Sequence, residues 1–431
     1  MKKIIKDTVI FAGANTISFV ISALSGFLVA KILEPEGYGG FSAYKLFISY
    51  LINLHMGIFQ GLQREIPFYR ELQKEDKLKS LLNTTFSFTF LISLLSIIIL
   101  LLSSITSSEF FRKSFFITLP LIPFYFLKEF YRFAMKGLEK FKELSFLNIF
   151  DSINFIVFVI FFSIYFKAEG AVLGFGISHF ILFFFAYFFT RIIFFNFKIK
   201  FEDLKSLFQV GFPIFFIGVL NIFLFSIDRV FILGIYGRRE FGIYAMAMNF
   251  LNLIFQVPIA VATIFLPFLT RKKAKEGSLS EFIIKREYII YIYLILVSLL
   301  IIIFYPMAFF VIKRFLHKYY TALPLLKFLL LFIPFPTLNY FFYSFLIAEN
   351  KHSYIIPYHL ILIPFTVIVN SVFIPKFELK GACLSYLISQ FLFTLITIFL
   401  TYRFIKFKIL RTLTFIVLIS FLHFLIFELI F

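Results

Sequence analysis

Tryptophan is absent from this chain, and cysteine occurs once, at Cys383. A single cysteine excludes an intramolecular disulfide framework and says little about redox compartment. Charge is scarce as well, at 15% of residues, and no hydrophilic stretch is long enough to hold a separate catalytic domain. Soluble-enzyme signatures are missing: no Gly-x-x-x-x-Gly-Lys phosphate loop, no metal-spaced His or Cys cluster and no Gly-x-Ser-x-Gly elbow. No cofactor is expected, and ATP hydrolysis by the chain itself is not.

What fills the sequence is hydrocarbon. Of 431 residues 61% are hydrophobic, with a mean hydropathy of +0.97, whereas a globular chain is about half apolar. Apolar runs of roughly 20 residues each fit one helical crossing of a ~30 Å hydrocarbon core. Helices satisfy their own backbone hydrogen bonds in lipid, and the runs are too long and uniform for the alternation of an outer-membrane barrel. The fold class is therefore all-α and polytopic. Twelve spans are expected, at 8–32, 40–62, 81–102, 114–135, 144–166 and 171–195, then 207–236, 241–268, 287–312, 320–348, 353–374 and 381–402. Met1-Lys2-Lys3 leads into a run too long for a signal peptide, so the first span is read as retained. With no tryptophan, the 22 tyrosines must supply most interfacial rings. The 73 phenylalanines have no functional explanation here.

The net charge of +19 invites a nucleic-acid reading, but its distribution argues against one. With the N-terminus cytoplasmic, 27 lysines and arginines fall in inner connections and 11 in outer ones. That bias is a topology signal, complemented by contact with anionic lipid heads. Nucleic acid is not an expected partner; membrane lipid is.

The chain also repeats. Gly170-Ala171-Val172-Leu173-Gly174-Phe175-Gly176-Ile177-Ser178-His179-Phe180 returns 211 positions later as Gly381-Ala382-Cys383-Leu384-Ser385-Tyr386-Leu387-Ile388-Ser389-Gln390-Phe391. Tyr38-Gly39-Gly40-Phe41 echoes Phe241-Gly242-Ile243-Tyr244 at an offset of 203, and Leu138-Glu139-Lys140 echoes Ala348-Glu349-Asn350 at 210. Six crossings per half restore the same orientation, so the halves are parallel repeats. The expected domains are an N-terminal six-helix lobe at 1–200, a C-terminal one at 201–405, and a basic segment with an extra hydrophobic helix at 406–431. The run 412–431 either spans the membrane or rests on its surface.

Polar side chains within spans are informative, because each must face protein or water. On a helix the second span places Ser42, Lys45, Ser49, Asn53 and Gln60 within about 80° of one another. The first span aligns Asn15, Ser18, Ser22 and Ser25; the seventh superimposes Asn221 and Asp228; the eighth sets Asn249, Asn252 and Gln256 at helical spacing. Two readings stand side by side: helix-to-helix packing by small polar residues, and a water-filled cavity lined by these four spans. Lys45, Lys128, Arg229 and Lys327 lie within spans, where a bilayer-centre cation costs about 2.5–3.5 kcal/mol. Lys45, Arg229 and Lys327 sit only about 8–11 Å from outer span ends, so snorkelling competes with a cavity role. Lys128 and Glu129, near Arg132, read as structural ion pairing, and His55 as a core histidine bonded to a carbonyl. Pro120, Pro123, Pro258, Pro324, Pro334, Pro336, Pro357 and Pro364 are expected to interrupt spans.

The segment Leu33-Glu34-Pro35-Glu36-Gly37-Tyr38-Gly39 resembles the first periplasmic turn, Leu-Gly-Pro-Glu-x-Tyr-Gly, of polysaccharide flippases in the multidrug/oligosaccharidyl-lipid/polysaccharide exporter superfamily. Ser226-Ile227-Asp228-Arg229-Val230-Phe231-Ile232-Leu233 with Phe241-Gly242-Ile243-Tyr244-Ala245 is similar to their seventh-span segment, and the Gly-Ala pairs match their starts of spans six and twelve. Glu34 departs from the usual glycine, and the tail after Arg411 fits neither twelve nor fourteen spans. The resemblance implies movement of an undecaprenyl-diphosphate-linked oligosaccharide to the outer leaflet of the cytoplasmic membrane. It implies a cationic cavity, with Lys45 and Arg229 as diphosphate contacts, Lys327 as a further cation, and Asn53, Asn221, Asn252 and Gln256 available to sugar hydroxyls. Asp228 would take up a coupling H+ or Na+, unless it serves only to neutralise charge. Other polysaccharide-assembly membrane proteins would be partners. The rivals are a cation-coupled drug exporter of the same superfamily and a membrane polymerase or glycosyltransferase.

Overall fold

The computed structural model describes residues 2–190, 197–276, 279, 281–282, 288–405 and 407–431. Thirteen α-helices and no strand occur among the described residues. The inner-face basic residues Arg191 and Arg286 lie outside them, as do the last five residues of the sixth expected span. The chain divides into two compact units, Met1–Val219 and Leu220–Phe431.

In the first unit, α1 (Lys2–Leu51) is two helices joined at Glu34. A short 3-10 turn (Ile52–His55) leads to α2 (Ile58–Glu71), followed by α3 (Glu75–Thr106). The hydrophilic stretch Arg64 to Ser80 is the end of α2 and the start of α3. Then come α4 (Glu109–Thr118) and α5 (Ile122–Gly137), bent by 60° at Pro120 and Pro123. Helix α6 (Phe141–Thr190) is a hairpin with non-helical residues at Phe166 and Lys167. Asn154 Nδ2 donates to the Ser178 carbonyl at 2.6 Å across it, and Phe150 stacks on Phe185. Helix α7 (Phe201–Leu224) begins in this unit and ends in the next.

In the second unit, α8 (Ile227–Glu276) breaks at Gly237. It is followed by α9 (Tyr288–Phe315), then by α10 (Ala322–Phe332) and α11 (Pro334–Ala348), bent by 51° at Ile333 and Pro334. Helix α12 (Ile356–Phe404) breaks at Glu378, and α13 (Ile409–Ile430) ends the unit. Helix α13 is apolar and long enough to span. It runs parallel to α9, with Tyr291 against Phe415 and Tyr305 against Phe427. That packing favours a span over a surface helix.

Large apolar side chains such as Ile105 (74% exposed) and Leu429 (85%) point outward. A water-facing surface rarely carries so many, whereas a lipid-facing one requires them. Inside, α3 turns Thr84, Thr85, Ser87, Thr89, Ser93 and Ser96 inward, letting backbones approach where lipid supplies no hydrophobic drive between helices. A Phe- and Leu-rich core joins α2, α3, α5 and α6 around Phe59, Leu62, Phe130 and Leu182.

The repeat is written in the backbone. Lys167 and Glu378, 211 apart, both take positive φ (53° and 54°), with ψ of −131° and −135°. Three residues on, a Cβ at Gly170 would lie 2.0 Å from the Phe162 carbonyl oxygen, and one at Gly381 would lie 2.0 Å from that of Phe373. The duplicated Gly-Ala motif is therefore the tight crossing of each last hairpin. Glu34 (φ 60°, ψ 174°) and Gly237 (φ 81°, ψ −167°) are likewise 203 apart.

The third echo needs correction. Glu139 and Asn350 share φ 56°, and the amides of residues 138–140 and 349–351 bond equivalent carbonyls. The register is 211, not 210; matching glutamates misled, because the turn conserves conformation rather than side chain.

Glu34 occupies a region of φ/ψ space essentially reserved for glycine, where a side chain costs of order 1–3 kcal/mol. Glu34→Gly is therefore expected to stabilise the protein by about 1 kcal/mol, read as a higher melting midpoint in detergent. An unchanged or lower midpoint would show that contacts of the Glu34 side chain outweigh the backbone strain.

Candidate functional site

The second and seventh expected spans are both broken, which the sequence did not announce with proline. Between α1 and α2 the chain passes through the 3-10 turn and two left-handed residues, Met56 and Gly57. Backbone groups freed in hydrocarbon need local partners. Asn53 Nδ2 donates to the Ser49 carbonyl at 2.7 Å, and the Gly57 amide donates to His55 Nδ1 at 3.0 Å. His55 is thus a buried core histidine, as expected, but bonded to an amide rather than a carbonyl; it lies against Phe59 and Phe215. Part of the polar stripe of this span caps the break. Lys45 is half-buried, its ammonium 4.8 Å from the Phe41 ring centroid.

The stripe of the first span meets α6. Asn148 Nδ2 donates to Asn15 Oδ1 at 2.7 Å, and Ser152 Oγ to the Ser18 carbonyl at 3.0 Å. Ser22 and Ser152 hydroxyls are 3.3 Å apart. Here the helix-packing reading fits.

The start of α7 is fixed within the first unit. Asp203, in its first turn, accepts from Lys77 and Ser80 at 2.5 Å each and from Thr84 at 3.3 Å. Gly57, Gly61 and Gly211 allow backbone-to-backbone contact between α2 and α7.

The break between α7 and α8 places Asp228 in the first turn of α8, inside apolar sequence. A carboxylate there faces the positive end of the helix dipole. Asp228 is 3% exposed. Its Oδ2 accepts a hydrogen bond from the Tyr244 hydroxyl across the α8 hairpin; Oδ1 has no hydrogen-bond partner among the described residues. Arg229 is half-buried, its Nε buried without a hydrogen-bond partner among them, within electrostatic reach of Asp228, Tyr244 and Tyr386. Asn221, two turns earlier, has its Oδ1 3.0 Å from Nε2 of His359. His359 and Tyr244 were missed as site residues by sequence reasoning. Tyr244 lies in a quoted motif, and the available signal for His359 is that it is the single histidine of the expected span 353–374.

Asn252 is exposed and Gln256 half-buried on α8. Lys327 stands apart, its ammonium 3.2 Å from Glu428 on α13. An apolar groove of about 950 Å3 runs beside α10 to α13, lined by Phe328, Phe332, Phe335, Phe391, Leu413 and Val417 among others.

Known structures share this fold. The lipid II flippase MurJ in an inward closed conformation matches with a TM-score of 0.72 at 16% identity, covering 98% of this chain and 98% of that one. An inward-facing multidrug resistance MATE family transporter of the MOP superfamily matches at 0.68 with 14% identity, covering 94% and 98%. A MOP superfamily transporter from Pyrococcus furiosus, described as having a binding pocket of reverse polarity, matches at 0.64 with 14% identity, covering 95% and 96%. No curated protein sequence matches the chain. At these identities the likeness establishes a common fold. The sequence model described as polysaccharide biosynthesis protein matches residues 4–273, more than half of the chain, and the chain belongs to that family.

Proposed function

We propose that this protein is an alternating-access flippase of the O-antigen or lipid-linked-oligosaccharide type, moving a polyprenyl-diphosphate-linked oligosaccharide from the cytoplasmic to the outer leaflet. Arg229 carries the reading: a guanidinium in a hydrocarbon-length segment, its buried Nε unbonded among the described residues, suits a phosphate oxyanion, which its planar donor fork matches. Lys45 adds cationic charge, and Asn252 and Gln256 offer amides to sugar hydroxyls, whereas Lys327 is paired with Glu428 and Asn53 and Asn221 already bond the Ser49 carbonyl and His359. The apolar groove of the second unit offers a surface compatible with a polyprenyl chain. Asp228, at a buried helix start with Oδ1 unbonded among the described residues, suits a coupling H+ or Na+. The two six-helix lobes would be the moving bodies, with the N-terminus cytoplasmic.

A second reading, cation-coupled drug export, is favoured by the buried acid Asp228 and by the fold shared with a multidrug transporter. Reconstitution in liposomes separates the two. Fluorescent undecaprenyl-diphosphate oligosaccharide is expected to reach the opposite leaflet, while a cationic dye stays put. Dye movement down an imposed proton or sodium gradient, without lipid-linked sugar movement, would overturn the flippase reading in favour of export.

A further inference from the structure

A cluster of ionisable side chains sits where α5 meets the first half of α6, within the first unit. Lys128, Glu129 and Arg132 come from α5 and Asp151 from α6. Lys136, one turn further along α5, is within electrostatic reach of Glu129 and Arg132, and His55 within reach of Glu129. Lys128 Nζ is 3.1 Å from Glu129 Oε1 and 3.8 Å from Asp151 Oδ2. Arg132 Nη1 is 3.4 Å from the same Glu129 oxygen and 3.8 Å from the same Asp151 oxygen. The expected ion pairing is present, then, but it is loose. Two carboxylates are each shared between two cations, at distances mostly beyond those of strong charge-assisted hydrogen bonds.

Donors outnumber acceptors here. Three cations face two carboxylates, and Lys128 is almost wholly buried, where an ammonium needs all its protons placed. Its ammonium also lies over the Tyr125 ring, 4.9 Å from Nζ to the centroid. That ring lies against His179 at 4.6 Å. His179 is 5% exposed, both its ring nitrogens lack hydrogen-bond partners among the described residues, and it is within electrostatic reach of Lys128 and Arg132. A cationic cluster beside a buried imidazole with no hydrogen-bond partner among the described residues leaves donors without acceptors. Arg132, Glu129 and Asp151 retain 28%, 18% and 20% of their side-chain exposure, so one side of the cluster is open.

We infer that Glu129 and Asp151 are built-in placeholders for a phosphate oxyanion. An incoming diphosphate takes Lys128 and Arg132, displaces the two carboxylates and meets His179 beyond the Tyr125 ring. The identity of that oxyanion as cargo rests on the flippase reading above, and this cluster is a second station for the diphosphate, distinct from its contact with Arg229. The exchange has a mechanical outlet. Arg132 Nη2 donates to Asn148 Oδ1 at 3.1 Å, and Asn148 holds Asn15 of α1. A diphosphate that draws Arg132 away loosens the polar seam between α1 and α6, the first and fifth spans. Binding would thereby favour a different α1 position, which is the differential contact a ligand-driven conformational change requires.

The test is titration calorimetry of inorganic pyrophosphate into the purified full chain in nanodiscs, with melting midpoints recorded for each variant. Glu129→Gln and Asp151→Asn each remove a competing charge and are expected to tighten binding by roughly tenfold. Lys128→Gln or Arg132→Gln is expected to lose it. Two neutralising variants on different helices keep the test decisive if one folds poorly. Unchanged or weaker binding in the acid variants overturns the placeholder role. Loss of the pyrophosphate signal when phosphatidylglycerol is added to the nanodisc assigns the pocket to a lipid head group and overturns the cargo assignment. Either failure leaves the leaflet-delivery assay standing, because that assay reads translocation without reference to these acids.

Discussion

Valine in place of Gly170 or Gly381 is expected to abolish accumulation of folded protein. At each position a Cβ would sit 2.0 Å from a backbone carbonyl oxygen and 2.6 Å from its carbon. Neither atom belongs to a flexible side chain that could swing aside. The hairpin must instead open by more than an ångström, separating the Asn154–Ser178 bond in one case and the Thr366–Ser389 hydroxyl pair, 2.9 Å apart, in the other. Overpacking alone costs about 1–3 kcal/mol, and the lost interhelical hydrogen bonds add to it. Gly218 is the control, since a Cβ placed there would meet nothing within 4 Å. Fluorescence-detected size exclusion should show Gly218→Ala monodisperse at wild-type levels, with Gly170→Val and Gly381→Val aggregated or absent. Monodisperse valine variants with wild-type melting midpoints would mean that the close approach is not required for the fold.

That pair also shows why the sequence was legible where it was. Gly170 and Gly381 repeat because only hydrogen fits, so the physical demand forces the letter. At Glu139 and Asn350 the demand is a positive φ at a helix end, which asparagine, glutamate or glycine can meet at modest cost. The letters drift there, and matching letters alone aligns the echo one residue out of register. Spans were legible from apolar length alone. Their breaks were not. Proline marked the bends at Pro120 to Pro123 and at Pro334, yet Pro258 and Pro364, expected to interrupt spans, lie inside continuous helices, as does Pro213. The breaks at 52–57 and 225–226 contain no proline. They are stabilised by polar groups that catch freed backbone: Asn53, His55 and Ser226, whose hydroxyl donates to the Ile222 carbonyl at 2.5 Å.

The polar stripes therefore carried two signals mixed together. Some residues hold helices to one another (Asn15 and Ser18) or close a break (Asn53), and sequence spacing cannot separate these from residues facing a ligand. Tyr244 and His359 escaped notice because tyrosine and histidine in apolar spans are compatible with simple packing. Only three-dimensional proximity to Asp228 and Asn221 distinguishes them.

Arg229→Ala is expected to reduce outer-leaflet delivery of the lipid-linked sugar about a hundredfold, corresponding to ~3 kcal/mol, while expression and membrane insertion remain. The competing account is that Arg229 only balances the buried Asp228, whose carboxylate has Tyr244 as its one side-chain hydrogen-bond partner among the described residues. The two accounts differ in a double variant. If Arg229 is a counter-charge, its removal leaves Asp228 uncompensated, the melting midpoint falls, and adding Asp228→Asn restores stability and returns transport to the level of Asp228→Asn alone. If Arg229 grips the diphosphate, Asp228→Asn restores stability at most, and delivery by the double variant stays below that of Asp228→Asn alone. Arg229→Lys sharpens the distinction, because an ammonium replaces the charge but not the planar fork. Counter-charge duty should survive that change nearly intact, whereas a bidentate phosphate contact should lose much of its effect. Delivery by the Arg229→Ala, Asp228→Asn double variant equal to that of Asp228→Asn alone would remove Arg229 from the cargo site.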